Sequence, residues 1–574
     1  MKKFEEIQNE LLLLLKDKNY EEVEKKSLDI LESFSENSSV FNILGLAQVH
    51  QKKFFEAEAN LKKGLRLNPK DLALNNSLGN LYSRLGEHQK AINHYKKAAL
   101  NNHNVSSEIF NNLGNAQREL GLFLDSLKSY KKAINLNKNA LQYYLNCSSL
   151  LASLGKIPLA LIFLKKALII SNYRFDIYST YLGLLLYNNP ISLKKIKFEL
   201  DFFDNLSIIN SNHIIINKNP KIRLGFVSAD LRNHPVGFFL FDLLNFFKKD
   251  FDIYAYYNHK IEDDLTKKIK SLFHKWSVIA EKNDDSVFKL IKEDKIDILF
   301  DLSGHTIKNR LSLFAKKPAK IQITWAGWLM STGLKKMDFI IVDPHVVSEH
   351  DKIFFSEKFL FMKDIWCCYS NNLFKIKPKE LPALKNKYIT FGSFNSLLKL
   401  NNEVIKVWSE ILMKIPTSKL FLKTEMLNYE FIRDRILNKF VRNGVKKDQL
   451  ILEGQSPRDL MFECYNKVDI ALDPFPYNGG TTSFELSKMT VPLLTKKGDS
   501  FVSRCGYSLN KNLAMDEWIA KNNNDYIAKA ITFSSDINYL SNIKSELALR
   551  ANTSSLFDTN KFYKNFKDCL LNII

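Results

Sequence analysis

The residues best suited to chemistry form one loop, in which two glycines are followed by two threonines and then by a glutamate. These residues are Gly479, Gly480, Thr481, Thr482 and Glu485. The apolar run before the loop, residues 468–472, predicts a buried strand, and the residues after the loop are typical of a helix. Glycines let backbone N–H groups approach an anion, and a helix N-terminus favours negative charge. The pattern therefore indicates a place to bind a phosphate.

The same loop also has a purely structural interpretation. Thr481 or Thr482 could cap the helix that follows an ordinary glycine-rich turn. If the loop instead binds an anion, the two hydroxyls add hydrogen bonds. Glu485, on the same helix face, could then accept a hydrogen bond from a sugar hydroxyl. The local pattern leaves both interpretations open, so the rest of the chain has to decide.

The composition is that of a globular protein with several domains. The chain has 574 residues, too many for one core, so we expect about two to four domains. The formal net charge is +21, but the basic residues are mostly lysines spread over every segment. A lysine-rich solvated surface explains this charge better than a nucleic-acid partner, which would need a contiguous basic face.

The cysteines and the N-terminus indicate the compartment. The six cysteines form no C-x-x-C pair; we therefore expect no metal site, and their small number indicates a reducing environment. The apolar run at residues 11–15 is too short for a signal-peptide core or a membrane span. We therefore expect a cytoplasmic protein without a membrane span.

The first third of the chain carries an internal repeat. Gly45, Gly79 and Gly114 each follow a leucine and lie 34 and 35 residues apart, with small and large side chains at fixed offsets from them. This period is similar to that of the tetratricopeptide repeat, a helix–turn–helix unit. We therefore expect an N-terminal α-solenoid over residues 1–174, whose concave face binds a protein or peptide. A spacer, or a self-association surface that makes a homo-oligomer, is the alternative.

From residue 221 the pattern changes to alternating strands and helices. Residues 175–220 are expected to hold a transitional helix, a break at 188–190 and a linker at 210–220. The alternation predicts two α/β lobes with parallel sheets, at 221–386 and 387–574, the second ending in a C-terminal helix. The predicted strands are residues 222–227, 251–257, 296–302, 321–325, 339–342, 388–394, 419–423, 449–452, 468–472 and 491–494. Two such lobes leave a cleft between the carboxyl ends of their sheets, where ligands bind.

Several motifs in these lobes follow one another in a distinctive order. They are GFVSAD through NHP at 225–235, DLSGHT at 301–306, GSFN at 392–395 with Lys399, ALDPFPYNGGTT at 471–482, and SR at 503–504. Behind tetratricopeptide repeats, they closely resemble the O-GlcNAc transferase and Spindly family, and its bacterial members in particular.

The resemblance implies an α + α/β fold in which the two lobes form a GT-B type pair of Rossmann-like domains. It also implies an inverting transfer, without a metal or other cofactor, of a sugar from a nucleotide-sugar donor to Ser or Thr hydroxyls of protein acceptors. UDP-GlcNAc is the donor that we expect, and GDP-fucose, which Spindly-type members use, is the alternative. A non-catalytic scaffold that kept the fold is a third hypothesis, but it would predict a broken phosphate site.

The resemblance also assigns roles to single residues. Without a metal, the protein must stabilise the leaving diphosphate with cations and oriented N–H groups. By resemblance Lys399 faces the diphosphate, together with the glycine–threonine loop (residues 479–482). Asn395 and Ser396 belong to the same donor site, and Glu485 matches the acidic residue at the ribose.

Three further residues are candidates in the cleft. By resemblance His234 matches the family's active-site histidine, and its ordinary pKa would let it accept the acceptor's proton. Positioning of the acceptor, with a leaving-group oxygen as the base, is the alternative role. His305 also ends a predicted strand, and Arg504 belongs to the last motif. Met461 and Ser396 replace groups that other members place near the nucleotide, so the sequence leaves the nucleobase and the sugar open.

Overall fold

The computed structural model describes residues 2–33, 36–100, 106–190, 192–207, 219–374 and 376–574. Within them the chain forms two compact units. One contains the residues up to 151 together with 162–171, and the other contains 152–161 and 172–574. Most of the linker expected at 210–220, namely residues 210–218, lies outside the described residues.

The repeat region consists of successive helices. They are α1 (Lys2–Lys16), α2 (Tyr20–Ser33), α3 (Ser38–His50), α4 (Phe54–Leu67), α5 (Leu72–Arg84), α6 (His88–Ala99), α7 (Ser107–Glu119), α8 (Phe123–Leu136), α9 (Leu141–Ser153) and α10 (Ile157–Ile170). A Cβ atom on Gly79 would lie 2.5 Å from the ring of Tyr95, and one on Gly114 would lie 2.6 Å from the ring of Tyr130. Each repeated glycine therefore makes room for a large side chain of the next helix.

The described residues between the repeats and the first sheet form two helices, where the sequence predicted one. They are α11 (Phe175–Leu185) and α12 (Leu193–Leu206), and the break predicted at 188–190 lies between them. Helix α12 is attached to the following lobe, because the carboxylate of Asp204 accepts a hydrogen bond of 2.9 Å from the backbone N–H of Lys335.

The first α/β lobe is built on a parallel sheet of seven strands in the order β3-β2-β1-β4-β5-β6-β7. Its strands are β1 (Arg223–Ser228), β2 (Asp252–Tyr257), β3 (Lys275–Val278), β4 (Ile298–Asp301), β5 (Ile321–Thr324), β6 (Phe339–Val342) and β7 (Lys358–Phe361). Its helices are α13 (Pro235–Asp250), α14 (Asp264–Lys270), α15 (Asp284–Glu293) and α16 (Leu311–Ala315). Val227 of β1 pairs with Tyr256 on one side and Asp301 on the other.

The second lobe has a parallel sheet of six strands in the order β10-β9-β8-β11-β12-β13. Its strands are β8 (Thr390–Ser393), β9 (Lys419–Lys423), β10 (Leu450–Glu453), β11 (Ile470–Leu472), β12 (Leu493–Lys496) and β13 (Ile519–Ala520). Its helices are α17 (Pro382–Asn386), α18 (Asn402–Lys414), α19 (Glu430–Arg442), α20 (Arg458–Tyr465), α21 (Thr481–Lys488), α22 (Cys505–Asn512), α23 (Asn523–Ser535) and α24 (Ile537–Thr553). The strand order of both sheets is that of a Rossmann-like fold, as predicted.

Each predicted strand overlaps a strand of the structure, but three strands were missed. Strands β3 and β7 form the two edges of the first sheet, and β13 forms an edge of the second. Edge strands are short and partly solvated, so they lack the continuous apolar run that marks a buried parallel strand. Strand β3, with the sequence KWSV, has no fully buried residue.

The last helix, α25 (Thr559–Leu571), packs on the first lobe although it follows the second in sequence. The ring of Phe566 lies 5.2 Å from that of Phe247 and 4.9 Å from that of Trp325. Lys567 forms an ion pair of 2.8 Å with Asp250. The structure therefore departs from the predicted boundary, which placed all of 387–574 in the second lobe, because the aromatic side chains of this helix contact Phe247 of α13 and Trp325, which follows β5.

No helix in the described ranges is long and apolar enough to cross a membrane. The histidine, cysteine, aspartate and glutamate residues that the structure describes form no group of three or more that could hold a metal ion.

Candidate functional site

The second sheet has a switch point between the neighbouring strands β8 and β11. Gly392 pairs with Ala471 across this boundary. The connections from the two strands run to opposite sides of the sheet, so the loops at their carboxyl ends part and leave a crevice. Lys399 follows β8, and the glycine–threonine loop follows β11. The sheet therefore brings two separate sequence motifs to one place.

The glycine–threonine loop is a helix N-terminus without a side-chain cap. Helix α21 begins at Thr481, with Gly480 at the N-cap position, and no side chain caps it. Thr482 Oγ1 instead donates to Asn395 Oδ1 at 3.4 Å. No described residue accepts a hydrogen bond from the backbone N–H of Thr481 or Thr482. The interpretation in which a threonine caps the helix is therefore wrong, and the first turn retains N–H groups for an anion.

A buried carboxylate holds this loop from the side of the sheet. The two carboxylate oxygens of Asp473 accept hydrogen bonds of 2.6 Å from the N–H of Gly479 and from Thr495 Oγ1. Burial raises the pKa of Asp473. A Cβ atom on Gly479 would lie 2.1 Å from Ser483 Oγ, whereas one on Gly480 would meet nothing within 4 Å. Close packing therefore requires glycine at the first of the two positions only.

Lys399 joins the two loops. Its Nζ atom donates to the carbonyl oxygen of Asn478 at 2.7 Å and to Asn395 Oδ1 at 3.3 Å. The same atom lies 4.6 Å from the centre of the Tyr477 ring. Burial lowers the pKa of Lys399, while the carboxylate of Asp473 opposes that shift. The result is a partly dehydrated cation beside an uncapped helix N-terminus, an arrangement suited to binding a phosphate group.

Asn395 and Ser396 lie on the same β8 loop but differ in their surroundings. Asn395 Oδ1 accepts from both Lys399 and Thr482, so this amide links the cation to the helix N-terminus. Ser396 is exposed, and its hydroxyl oxygen accepts from the N–H of Leu398 at 3.3 Å. It caps the short 3₁₀ turn that carries Lys399. Its predicted contact with the donor stays a prediction.

Glu485 has internal partners rather than an open face. It is 2% exposed. Its carboxylate accepts hydrogen bonds from Tyr369 Oη at 2.8 Å, from Arg458 Nη2 at 2.6 Å, and from Tyr465 Oη. These partners satisfy the need of a buried carboxylate for a cation and donors of its own, and the predicted contact of Glu485 with a sugar hydroxyl stays a prediction.

The Glu485 partners were missed by the sequence-based prediction, and they connect the lobes. The guanidinium of Arg458, on α20, also lies 3.7 Å from the ring centre of Phe238, on α13 of the first lobe. Tyr369, which follows the first sheet, donates to Glu485 on α21 of the second lobe. Glu485 lies at a buried position one turn into its helix. This position is the sequence signal that could have prompted a search for an arginine partner.

His234 begins helix α13 in the first lobe. It is the N-cap residue, and its Nδ1 atom accepts a hydrogen bond of 3.4 Å from the N–H of Val236. This bond places the proton of the neutral ring on Nε2. Burial lowers the pKa of His234, with a further decrease from Arg232 and an opposing effect of the Asp230 carboxylate. The ring is therefore neutral near pH 7, and about a third of the side chain is exposed.

Sequence comparison identifies the family of this chain. The sequence signature described as Glycosyl transferase family 41 matches residues 204–375 and 370–566, well over half of the chain. The chain belongs to glycosyl transferase family 41. A tetratricopeptide-repeat signature also matches residues 72–101 and 107–139, which confirms the predicted repeats.

Curated relatives of this family 41 chain carry transferase names. A tomato (Solanum lycopersicum) protein named "Probable UDP-N-acetylglucosamine--peptide N-acetylglucosaminyltransferase SPINDLY" is 31% identical over 353 residues, covering 60% of this chain and 38% of the relative. A Caenorhabditis elegans UDP-N-acetylglucosamine--peptide N-acetylglucosaminyltransferase is 20% identical over 493 residues, covering 65% and 42%. The chain thus spans about two fifths of the length of these relatives.

A solved structure supports the fold of this family 41 chain. A mutant O-GlcNAc transferase from Thermobaculum terrenum superposes with a TM-score of 0.77 at 25% sequence identity. The match covers 87% of this chain and 96% of that protein. The predicted arrangement of repeats followed by a GT-B type pair of lobes is therefore confirmed.

His305 is not a cleft residue in this family 41 chain. It is 3% exposed, and its ring nitrogens pair with Ser179 Oγ at 2.8 Å and the carbonyl oxygen of Thr332 at 2.9 Å. Burial lowers the pKa of His305 to about 3. The prediction is wrong because α11, distant in sequence, covers the end of strand β4.

Arg504 also has a structural role that the sequence-based prediction missed. Its Nη1 atom pairs with the carboxylate of Asp351 at 2.6 Å, and its Nε–H donates to the carbonyl oxygen of Gly498 at 2.9 Å. Both side chains of the ion pair are nearly buried. Asp351 lies in the first lobe, so the predicted cleft arginine is an ion-pair partner that connects the two lobes of this family 41 chain.

Proposed function

We propose that this chain transfers a sugar from a nucleoside diphosphate donor, UDP-GlcNAc, to Ser or Thr hydroxyls of protein acceptors. The observation that carries the proposal is the position of Lys399 at the switch point of the second sheet, beside the uncapped N-terminus of α21. Family membership supports a glycosyl transfer, and the printed names of the relatives support the donor and the peptide acceptor.

The site has the groups that the departure of a diphosphate requires. As the sugar leaves, negative charge develops on the phosphate oxygens, and preoriented donors stabilise it best in a partly dehydrated site. In the proposed reaction Lys399 supplies a cation, while the N–H groups of Thr481 and Thr482 and the Thr482 hydroxyl supply hydrogen bonds. The amide oxygen of Asn395 orients the Lys399 ammonium group and the Thr482 hydroxyl, because it accepts a hydrogen bond from each.

For His234 the geometry favours positioning over general base catalysis. A general base must present an unprotonated nitrogen to the acceptor hydroxyl. Nδ1 of His234 is occupied by the N–H of Val236, so the neutral ring presents Nε2–H. We therefore propose that His234 donates a hydrogen bond to the acceptor or to the donor, and that a leaving-group oxygen takes the acceptor's proton.

The test is a binding screen followed by a transfer assay. Isothermal titration with UDP, GDP, UDP-GlcNAc and GDP-fucose should show binding of the uridine ligands. Incubation with UDP-GlcNAc and a protein library should then add one N-acetylhexosamine to Ser or Thr residues, detected by mass spectrometry. Binding of the guanosine ligands alone would indicate the fucosyl alternative, and binding of none would favour the scaffold hypothesis.

Further parts of the proposal concern partners, cofactors and location. The repeats are proposed to hold the protein acceptor, and transfer is proposed to need no metal, so that added EDTA should leave the rate unchanged. A homo-oligomer and a cytoplasmic location stay predictions, which light scattering of the purified chain and cell fractionation would test.

A further inference from the structure

Tyr187 is a residue outside both sheets whose ring reaches the loop that holds Lys399. It follows α11, and its ring stacks on that of Tyr477 with the ring centres 4.6 Å apart and the planes inclined by 11°. Tyr477 lies next to Asn478, whose carbonyl oxygen accepts the Lys399 hydrogen bond. The Lys399 Nζ atom itself lies 4.6 Å from the Tyr477 ring centre. The ring of Tyr187 therefore contacts the ring of Tyr477, which in turn contacts the ammonium group of Lys399.

The segment that carries Tyr187 is attached to both lobes. On the side of the first lobe, Ser179 of α11 pairs with His305 at 2.8 Å and accepts from Asn309 Nδ2 at 3.0 Å. On the side of the second lobe, Asn189 Nδ2 donates to Glu403 Oε2 at 2.9 Å. Tyr187 lies between these two attachments in sequence. Tertiary contacts on both sides therefore hold it in position.

The second-lobe attachment acts on the segment that contains Lys399. Glu403, at the start of α18, also accepts from Asn523 Nδ2 at 2.9 Å and pairs with Lys496 at 3.3 Å. Asn401 Nδ2 donates to the carbonyl oxygen of Phe475 at 2.6 Å. The segment just after Lys399 is thereby connected to the segment just before Tyr477. It is also connected, through Glu403, to Asn189 between α11 and α12.

We propose that Tyr187 is a positioning residue for Lys399. Its ring supports Tyr477, which in turn fixes the Asn478 carbonyl oxygen and the lysine ammonium where the donor diphosphate binds. The inference rests on the proposed function, because the diphosphate is the ligand that Lys399 would meet. Its structural part, the control of Lys399 by Tyr187, can be measured without any donor.

Tyr187 carries no charge, and it acts on Tyr477 through its ring and through a side-chain hydrogen bond. The charged or titratable groups that act on Lys399 are Asp473, which favours the ammonium, and Cys505, whose thiol has a pKa raised by burial and stays neutral. Burial is the main cause of the lowered pKa of Lys399. Removing the Tyr187 ring would admit water beside Tyr477, so the pKa of Lys399 should return toward its ordinary value.

The test compares Tyr187→Leu and Tyr187→Phe in the full chain. Competitive labelling of Lys399 with acetic anhydride, read by mass spectrometry across pH, gives the protonation midpoint of the lysine. Tyr187→Leu should move that midpoint upward and lower the transfer rate by roughly 10- to 100-fold, because a small misplacement of a catalytic group is costly. Tyr187→Phe keeps the ring and should recover most of the lost rate.

Tyr173→Leu is the matched control, because this exposed tyrosine precedes the same helix and contacts Phe202 instead. Equal labelling midpoints in the wild type, Tyr187→Leu and Tyr173→Leu would overturn the inference. If Tyr187→Leu does not fold, Asn189→Ala is the second test of the inference. This variant removes the hydrogen bond to Glu403, so it should shift the labelling midpoint of Lys399 in the same direction. A wild type that binds no nucleotide would refute the proposed function, while the labelling result would still judge the role of Tyr187.

Discussion

The ammonium group of Lys399 donates a hydrogen bond of 2.7 Å to the carbonyl oxygen of Asn478. This contact joins the loop after β8 to the loop after β11, the two loops that part at the switch point. An ammonium group has three N–H donors, and two of them are used by Asn478 and Asn395. The third can serve a bound phosphate while the first two keep the side chain in place.

Replacing Lys399 should remove most of the transfer activity without unfolding the chain. Lys399→Ala takes away the one cation in this set of contacts, so we expect transfer to fall by at least about 100-fold, as for the loss of one preorganised charge-stabilising donor. Lys406→Ala, at an exposed position of the neighbouring helix α18, is the control. The measurements are the transfer rate and the thermal melting curve. An active Lys399→Ala variant would contradict the assignment.

The affinity for UDP should fall on the alkaline side. Burial lowers the pKa of Lys399, so its positive charge is present below that lowered pKa and is lost as the pH rises through it. Asp473 faces the lysine and favours the charged form. Titration calorimetry with UDP from about pH 6 to pH 10, which covers the range where a lowered lysine pKa falls, should show this loss. The Lys399→Ala variant should bind weakly with no such alkaline decrease, and a parallel decrease in both proteins would point to another group.

Breaking the ion pair between Arg504 and Asp351 should lower stability more than donor affinity. Both side chains are nearly buried, and the loss of one partner leaves the other charge without compensation. Arg504→Ala should therefore destabilise the chain by about 3 kcal/mol. Asp351→Asn, which keeps the shape of the side chain, should cost less. If Arg504→Ala keeps its melting temperature but no longer binds UDP, the result would support the prediction that Arg504 is a cleft residue.

Two substitutions of Glu485 can separate its structural role from the predicted sugar contact. Glu485→Ala removes the acceptor of Tyr369, Tyr465 and the partly buried Arg458, so the free energy of unfolding should fall by about 3 kcal/mol or more. Glu485→Gln keeps the shape and half of the acceptors, so its melting temperature should fall less. If Glu485 also binds the ribose, Glu485→Gln should weaken UDP binding but leave pyrophosphate binding unchanged. Equal binding of UDP by the wild type and Glu485→Gln would exclude the ribose contact.

Local sequence patterns correctly predicted the repeats and most strands of the two sheets. The repeat period follows from the need for a glycine wherever the large side chain of the next helix packs, as at Gly79 against Tyr95. Apolar runs predicted the central strands of both sheets, because parallel strands are buried on both faces. The switch point could also be anticipated, since the motifs with Lys399 and with the glycine–threonine loop each follow such a run.

Patterns among neighbouring residues were thus enough to predict the repeats, the two parallel sheets and the polar loops that follow β8 and β11. Whether a polar side chain faces the cleft or a partner inside the protein depends instead on contacts between residues that are distant in sequence. His305 pairs with Ser179, 126 residues away, and Arg504 with Asp351, 153 residues away. A buried polar group must find a partner wherever the fold provides one, and no local pattern specifies a partner at that distance.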